Sequence, residues 1–564
     1  MKLQTIKAII LCSLLSALPF MNVYAATPVD LAKMNPVRLQ TLLSTQGLAN
    51  QNFQFKEIQR DLDFQKMLHI RVQQTYAGFP VWGGDAIFHV KQGEKYASIP
   101  LQDAFITNSR ATVNGVMYQD LQTDLARSPQ AVFSSAQAQK ALDKVVTAYQ
   151  EQVHTKLQAE NQQSKLMVYV DDNHKAHWAY LISFKTHAIH KNEPPALPTY
   201  IIDATTFSIY EYWNDMQTQQ IHAELGNVSA GGFGGNIKLG QLIYDGLQAH
   251  LPALTVQRDP ATQICYFKNA NIYLKKCSGF DYWQSCREEV DFQTSCEKTD
   301  EAHNNIYWNG DSDKVNDGYS PGNDAFFNGE VTSKMYLDWI GMPVLKNTDG
   351  TPMVLTMIVH LPKFDNAYWD GKAMYFGDGD TMFYPLTSLG VTAHEVSHGF
   401  TQQHSNLAYR RQSGGMNEAY SDMAAKAAEY YAYGKDLNWQ IAPEIFKAED
   451  EALRYMDLPS KDCKGRRPGS SCSIDDAGQY TNSLDVHYSS GVYNHFFYLL
   501  STSQGWNTKQ AFQVMARANA YYWTSTTNFQ DGACGVLKAG ADLEYDLSAI
   551  QEAFEVVKID TSKC

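Results

Sequence analysis

The sequence predicts an α+β protein in which a β-rich lobe precedes a mainly helical lobe, with a separate α+β region ahead of both. Three observations predict it. Residues 26–220 alternate short strand-like runs around one amphipathic stretch and contain no cysteine. Residues 240–385 read mainly as strands and turns rich in Tyr, Asn, Asp and Gly. From about residue 386 to the end, apolar residues recur at helical spacing. A chain of 564 residues is too long for one compact domain. Its 19% charged and 44% hydrophobic residues describe a globular protein rather than a disordered one. A formal charge of −14 argues against a nucleic-acid binder, which would present a basic face.

Each part has its own signal. Residues 1–25, MKLQTIKAIILCSLLSALPFMNVYA, read as a secretory leader: Lys2 and Lys7, an apolar core over Ala8–Phe20, then a small-residue cleavage site at Val23-Tyr24-Ala25. The core is shorter than the ~20 residues that span a bilayer, so the chain is expected to be exported with no later membrane span. In the next region HIRVQQTYAGFPVWGGDAIFHV (69–90) alternates as hairpin strands, a helix is expected near 135–158, and strands follow through 165–213. NVSAGGFGGNIKLG (227–240) reads as a flexible hinge. Helices are expected over 387–405, 415–433, 489–503 and 508–520. Eight cysteines follow residue 260, an even number that suggests disulfides in an exported chain. Proximity favours Cys463–Cys472 and Cys534–Cys564, while Cys265, Cys277, Cys286 and Cys296 allow three pairings among themselves.

HEVSHGFTQQH (394–404) carries the chemistry. On a helix His394 and His398 project from one face and can hold one cation, with Glu395 beside it to reach a water. Two third ligands compete. His404 has the spacing of a third histidine, but the glycine that would turn the chain back is Thr401, a β-branched residue poorly suited to a left-handed turn. His404 is therefore expected on the surface of the helix's continuation. SGGMNEAYSDMAAKAAEYY (413–431) instead sets Glu418 and Asp422 four apart on a second helix. Glu418 can supply a carboxylate ligand, and Asp422 or Asn417 can fix a ligand histidine's tautomer. A His₂Glu set leaves one metal position open, as a catalytic zinc site requires.

HEVSH, GGMNEAYSD and LDVHYSSGVYNHFFYLL together resemble the thermolysin family of secreted zinc metallopeptidases, its pseudolysin/vibriolysin branch in particular. The resemblance covers the whole chain: 26–222 would be a propeptide, with QQTYAGFPVWGGDAIFHV in a propeptide motif at about 30–95 and a PepSY-like segment at about 130–215. It implies a β-rich lobe over 223–385, a helical lobe over 386–564, zinc in the cleft between them, and self-cleavage at His222-Ala223. It also implies an extracellular endopeptidase, monomeric, acting on proteins and peptides, with its own propeptide as chaperone and inhibitor and a preference for a bulky hydrophobic residue after the scissile bond. By position, Glu395 is the general base and His487 a transition-state donor partnered by Asp485. Tyr409 stands at the family's tyrosine, Arg454 at its carbonyl-binding arginine, and Asn366 and Ala367 in its substrate-binding edge strand.

The chain departs from the family at a calcium site. Gly390 stands where many relatives have an Asp, and Lys426 where close relatives have a Glu; Glu429 and Asp436 remain as oxygen donors. Calcium wants six to eight oxygens, so Lys426 is expected to replace it. Two other readings are a metzincin-like enzyme using His404 and an exported binding protein with a structural zinc; neither a closed zinc site nor binding alone has a use for Glu395.

Overall fold

In the computed structural model of the chain, residues 26–34, 53–63, 66–91, 111–125, 129, 133–157, 159–186, 196–214, 226–280, 286–347, 350–463 and 471–564 are described. The expected leader over 1–25, the junction at His222-Ala223 and the interior of the 463–472 loop lie outside the described residues. Among the described residues no helix is long and apolar enough to cross a membrane.

The first region is built on strands. β1 (Thr27–Asp30), β2 (Phe53–Leu62), β3 (Leu68–Tyr76), β4 (Phe79–Val90) and β5 (Thr112–Gln119) pair antiparallel in the order β2-β3-β4-β5-β1. β6 (Glu160–Val170), β7 (Ala176–Lys185), β8 (Pro198–Asp203) and β9 (Ile209–Asn214) form a meander joined to β4 where Val81 meets Val168. Helix α1 (Ser135–Gln152) starts at Ser134, whose side chain accepts from Gln137 N, and buries Ala141, Leu142, Val145 and Tyr149 against this meander. Those four positions lie on one face of a 3.6-residue period.

Two five-stranded sheets follow. β10 (Gly226–Gly231) joins β13 (Leu254–Asp259), β14 (Ile264–Tyr266), β17 (Gln293–Ser295) and β18 (Tyr307–Trp308), with β11 (Phe233–Asn236) and β12 (Gly240–Ile243) as a separate hairpin. The second sheet has the order β16-β15-β19-β21-β20, from β15 (Ile272–Phe280), β16 (Cys286–Asp291), β19 (Leu355–Leu361), β20 (Ala367–Trp369) and β21 (Ala373–Gly377). This corrects the hinge at 227–240, which forms strands β10 and β11 and the turn over 237–239 into β12. Its glycines serve close approach rather than freedom: a Cβ would lie 1.8 Å from the Tyr244 carbonyl oxygen at Gly231 and 2.2 Å from Asp324 Oδ1 at Gly234. Helix α2 (Pro321–Met335) is absent from the expected elements. Ser320 caps it and Pro321 opens it, both start signals. Buried Asn323, Asp324 and Asn328, each hydrogen-bonded to neighbouring elements, blur the apolar period that would have revealed it.

The helical lobe contains α3 (Leu389–Gln403), α4 (Arg411–Tyr433), α5 (Val486–Ser489), α6 (Gly491–Thr502), α7 (Thr508–Tyr521), α8 (Phe529–Asp542) and α9 (Leu547–Val556). One core runs through both lobes. Tyr336, just after α2, bonds Ser397 Oγ at 2.8 Å and Tyr420 Oη at 3.1 Å, and its ring meets Phe400 and Phe512. Tyr336 thus ties α3, α4 and α7 together. Disulfides join Cys463–Cys472 and Cys534–Cys564 as expected, and Cys265–Cys296 with Cys277–Cys286 among the rest.

Candidate active site

Helix α3 begins at Ser388, whose side chain accepts from Val391 N, and carries His394, Glu395 and His398 into the cleft. Helix α4 packs across it and brings Asn417, Glu418 and Asp422. His394 Nδ1 meets Asp422 Oδ1 at 3.0 Å, and His398 Nδ1 meets Asn417 Oδ1 at 2.8 Å. The Asn417 amide is oriented by its Nδ2 donating to the Leu407 carbonyl. Both Nδ1 atoms therefore donate, and both Nε2 lone pairs point at one place, 3.1 Å apart. Glu418 Oε2 lies 3.6 Å from His394 Nε2 and Oε1 3.4 Å from His398 Nε2; Oε2 is buried and makes no hydrogen bond. Two lone pairs and a buried carboxylate oxygen that accepts no hydrogen bond converge on one point and could hold a cation, and a His₂Glu set suits zinc.

Asp422 is held on every side. Arg454 donates to it from Nε at 2.5 Å and Nη2 at 2.7 Å, and Asn494 Nδ2 in α6 donates at 2.7 Å. Despite complete burial these partners, Arg454 foremost, keep its carboxyl well below the ordinary range. Asn494 was not foreseen; its distance in sequence from α4 gives no signal. Arg454 Nη2 also reaches 3.5 Å from Glu418 Oε2.

Glu395 is 8% exposed, and burial pushes its carboxyl up to about 7 against the pull of His398. Opposite it, Tyr409 Oη bonds Glu418 Oε1 and lies 3.2 Å from His487 Nε2. Asp485 accepts from His487 Nδ1 at 2.7 Å and from its backbone N–H at 2.9 Å, which fixes α5 and the ring together. Glu418 and Asp485 raise His487 above the ordinary imidazole value. Gly414 and Gly415 permit the approach: a Cβ would fall 2.3 Å from Val486 Cγ1 and 2.4 Å from Ser489 Oγ. Asn366 and Ala367 stand at the start of β20, whose outer edge carries no strand among the described residues, and line the same cleft, of about 410 Å³.

His404 is brought nowhere near this convergence as a ligand. Its Nδ1 bonds the Phe400 carbonyl at 2.8 Å and its ring packs on Phe400. It is also not on the surface, being 4% exposed, and burial pushes it down to about 4. The helix stops at Gln403, and left-handed Asn406 makes the turn that the spacing argument assigned to position 401. Thr401 stays inside, accepting from Asn519.

The first region covers the cleft. Trp82, Trp213 and Asn214 line it, and Trp213 packs against Trp82 with Arg410 over its face at 5.7 Å. Glu211 pairs with Arg410 at 2.5 Å, and Tyr409 sits against the apolar cluster of Met167, Tyr169, Ile201 and Trp213.

Two histidines and a glutamate around one point, with the buried Glu395 carboxylate beside them and a strand edge lining the same cleft, are the arrangement that a zinc-dependent peptidase would need. The thermolysin metallopeptidase catalytic domain matches residues 254–402, its alpha-helical domain 405–559, and the fungalysin/thermolysin propeptide motif 66–99. The zinc metalloproteinase MspA of Legionella longbeachae is 43% identical over 545 residues, 96% of each chain. The hemagglutinin/proteinase of Vibrio cholerae is 38% identical over 495 residues, 87% of this chain and 71% of that one. The neutral protease of Vibrio proteolyticus is 34% identical over 546 residues, covering 95% and 79%. The chain belongs to the thermolysin family of metallopeptidases and is a zinc metalloendopeptidase carrying that family's propeptide motif.

Proposed function

We propose that His394, His398 and Glu418 hold the zinc and that Glu395 is the general base of peptide hydrolysis. The observation that carries this is the convergence of both Nε2 lone pairs with the unpartnered Glu418 oxygen, one residue from the Glu395 carboxylate. Zinc in such a site supplies a Lewis acid that acidifies water and polarises a carbonyl. Glu395 takes the proton of the attacking water and returns it to the leaving amine; burial, by raising its affinity for protons, suits it to both steps. His487 and Tyr409 donate to the developing oxyanion, with Asp485 fixing the histidine. Asn366 and Ala367 bind an extended substrate by strand addition, which reads main chain more than side chain. Asp422 and Asn417 hold the ligand tautomers, and Arg454, anchored on Asp422, reaches the substrate carbonyl.

Residues 26–222 then act as an inhibitory propeptide, exported with the peptidase behind the leader and cut at His222-Ala223. Trp82, Trp213 and Asn214 in the cleft support this. The Gly390 region does not suit calcium: Lys426 Nζ is buried against Glu429 and also donates to Asn438 Oδ1 and the Gln440 carbonyl. Glu395→Ala tests the whole reading. It is expected to keep stoichiometric zinc while casein cleavage and self-processing disappear; survival of either activity overturns it.

A further inference from the structure

Away from the cleft, the pro-region grips the C-terminal end of α7 through groups that hydrolysis does not use. His69 in β3 and His89 in β4 are cross-strand partners, both buried, with Nδ1 atoms 2.9 Å apart. The His69 ring stacks on Tyr521 with centroids 3.9 Å apart, and the His89 ring on Tyr522 at 4.8 Å. Asp63 Oδ2 accepts from Arg517 Nη2 at 2.7 Å and meets His69 Nε2 at 3.1 Å, while Arg517 Nε donates to Asp542 at 3.0 Å. Asn114 Nδ2 donates to the Tyr522 carbonyl at 2.8 Å, which turns its Oδ1 onto His89 Nε2. Arg71 donates to the carbonyls of Ala520 and Trp523, placing a cation at the negative end of the helix.

Proton counting limits what this seam can hold. A neutral imidazole carries one N–H and an imidazolium two. The outer nitrogens, His69 Nε2 and His89 Nε2, both face acceptors, Asp63 Oδ2 and Asn114 Oδ1, so each is satisfied by an N–H. The inner Nδ1 atoms can share one proton; a second would set two N–H groups head to head. Three protons on four nitrogens satisfy every contact, and a fourth has no acceptor.

We propose that the end of α7 is an anchoring surface for the pro-region, separate from the cleft, and that acid releases it because the His69–His89 seam excludes a fourth proton. The proposal rests on reading 26–222 as a removable pro-region. Set free, both rings face water and titrate near the ordinary value of about 6.5. Well below that pH the released region therefore holds at least one proton more than the docked one, so docking weakens by at least about threefold over the first pH unit below 6.5 and by about tenfold or more over each further unit. Burial acts in the same direction on His89, pushing it well below the imidazole range. The other groups facing the pair are Asp63, Arg517, Tyr521, Tyr522, Asp542 and Lys538. Asp63 lies at about 2, pulled down against its burial by His69 and Arg517. Carboxylates titrate below the window from pH 7 to 5 and the remaining types above it.

The test uses the full chain with Glu395→Gln, which stays uncut. Hydrogen-exchange protection of residues 512–523, corrected for intrinsic rates, is expected to fall at least about threefold between pH 6.5 and 5.5 while the interior of α4 is unchanged. His69→Phe with His89→Phe keeps aromatic rings on Tyr521 and Tyr522 and is expected to hold protection level across that range. An equal fall in both chains, or none in the parent, overturns the proposal. Should the double variant not fold, histidine NMR of the parent decides: a His89 ring uncharged to pH 5 while docked supports it, and one titrating near 6.5 while docked overturns it. Failure of the wild-type chain to cut itself would overturn the processing reading alone, and the exchange result would still decide the seam.

Discussion

Replacing Lys426 by methionine tests whether an internal cation does the work of calcium. Lys426 is 1% exposed, and its Nζ donates to Glu429, to Asn438 Oδ1 at 3.3 Å and to the Gln440 carbonyl at 3.1 Å. Methionine keeps the volume but removes the donor from a carboxylate that burial already pushes up to about 7, with Glu444 and Asp436 near it, and leaves Asn438 Oδ1 and the Gln440 carbonyl without theirs. Breaking a buried pair from one side costs about 3–5 kcal/mol. Glu429 can escape part of this by taking a proton, so the lower end, about 3 kcal/mol, applies. In a unit larger than a ~250-residue domain that is a fall of several degrees, up to about 6 °C, in Tm. Calorimetry of the Glu395→Gln chain, free of autolysis, is run in calcium-free buffer and again with added calcium. The parent is expected to melt at one temperature in both, K426M lower in both, and Lys426→Glu, which restores a carboxylate, to gain several degrees from calcium. A parent that needs calcium, with one stoichiometric ion found at this position, would refute the reasoning.

Three further outcomes follow from the site and its surroundings. His487→Ala removes an oxyanion donor but no ligand; kcat is expected to fall about 10²–10³-fold with KM little changed, and a mainly KM effect would move His487 to ground-state binding. Asn494→Ala leaves Asp422 with one donor fewer, so zinc affinity measured by chelator competition is expected to drop about tenfold with the ligands intact, and unaltered affinity would make Asn494 a packing residue. His360 is lifted, against the pull of burial, to about 10 by Asp311 at 3.1 Å and Asp378 at 3.3 Å. A raised pKa stabilises fully below the unfolded value near 6.5 and is lost as pH rises through 10, so Tm should decline from pH 7 to 10 in the parent and less steeply in His360→Asn; parallel slopes would exclude that role.

What the sequence revealed follows from how local each signal is. The proposed ligand pair is written within one helical turn, because His394 and His398 need only a 3.6-residue period to meet. Glu418 and Asp422 are the same kind of signal one helix later, and GGMNEAYSD carried them by resemblance as well as by spacing. Only the surface placement of His404 failed, and for a physical reason: spacing says which face a residue leaves from, not whether the helix is buried there, and Phe400 and the core enclose that face. The glycine run at 227–240 failed in the same way, since composition cannot distinguish a glycine that bends from one that makes room for Asp324 and Tyr244. Helix α2 was missed because its buried side is polar and satisfied by partners on other elements, which period counting treats as solvent-facing. The pro-region contacts were the least legible of all. Arg71 and Trp523 are 452 residues apart, and nothing in either neighbourhood specifies the other. The gradient from helical pair to sheet packing to interdomain seam is a gradient in sequence separation. The groups proposed to anchor and release the pro-region, unlike those proposed to cut, are therefore the ones that only a three-dimensional structure can bring together.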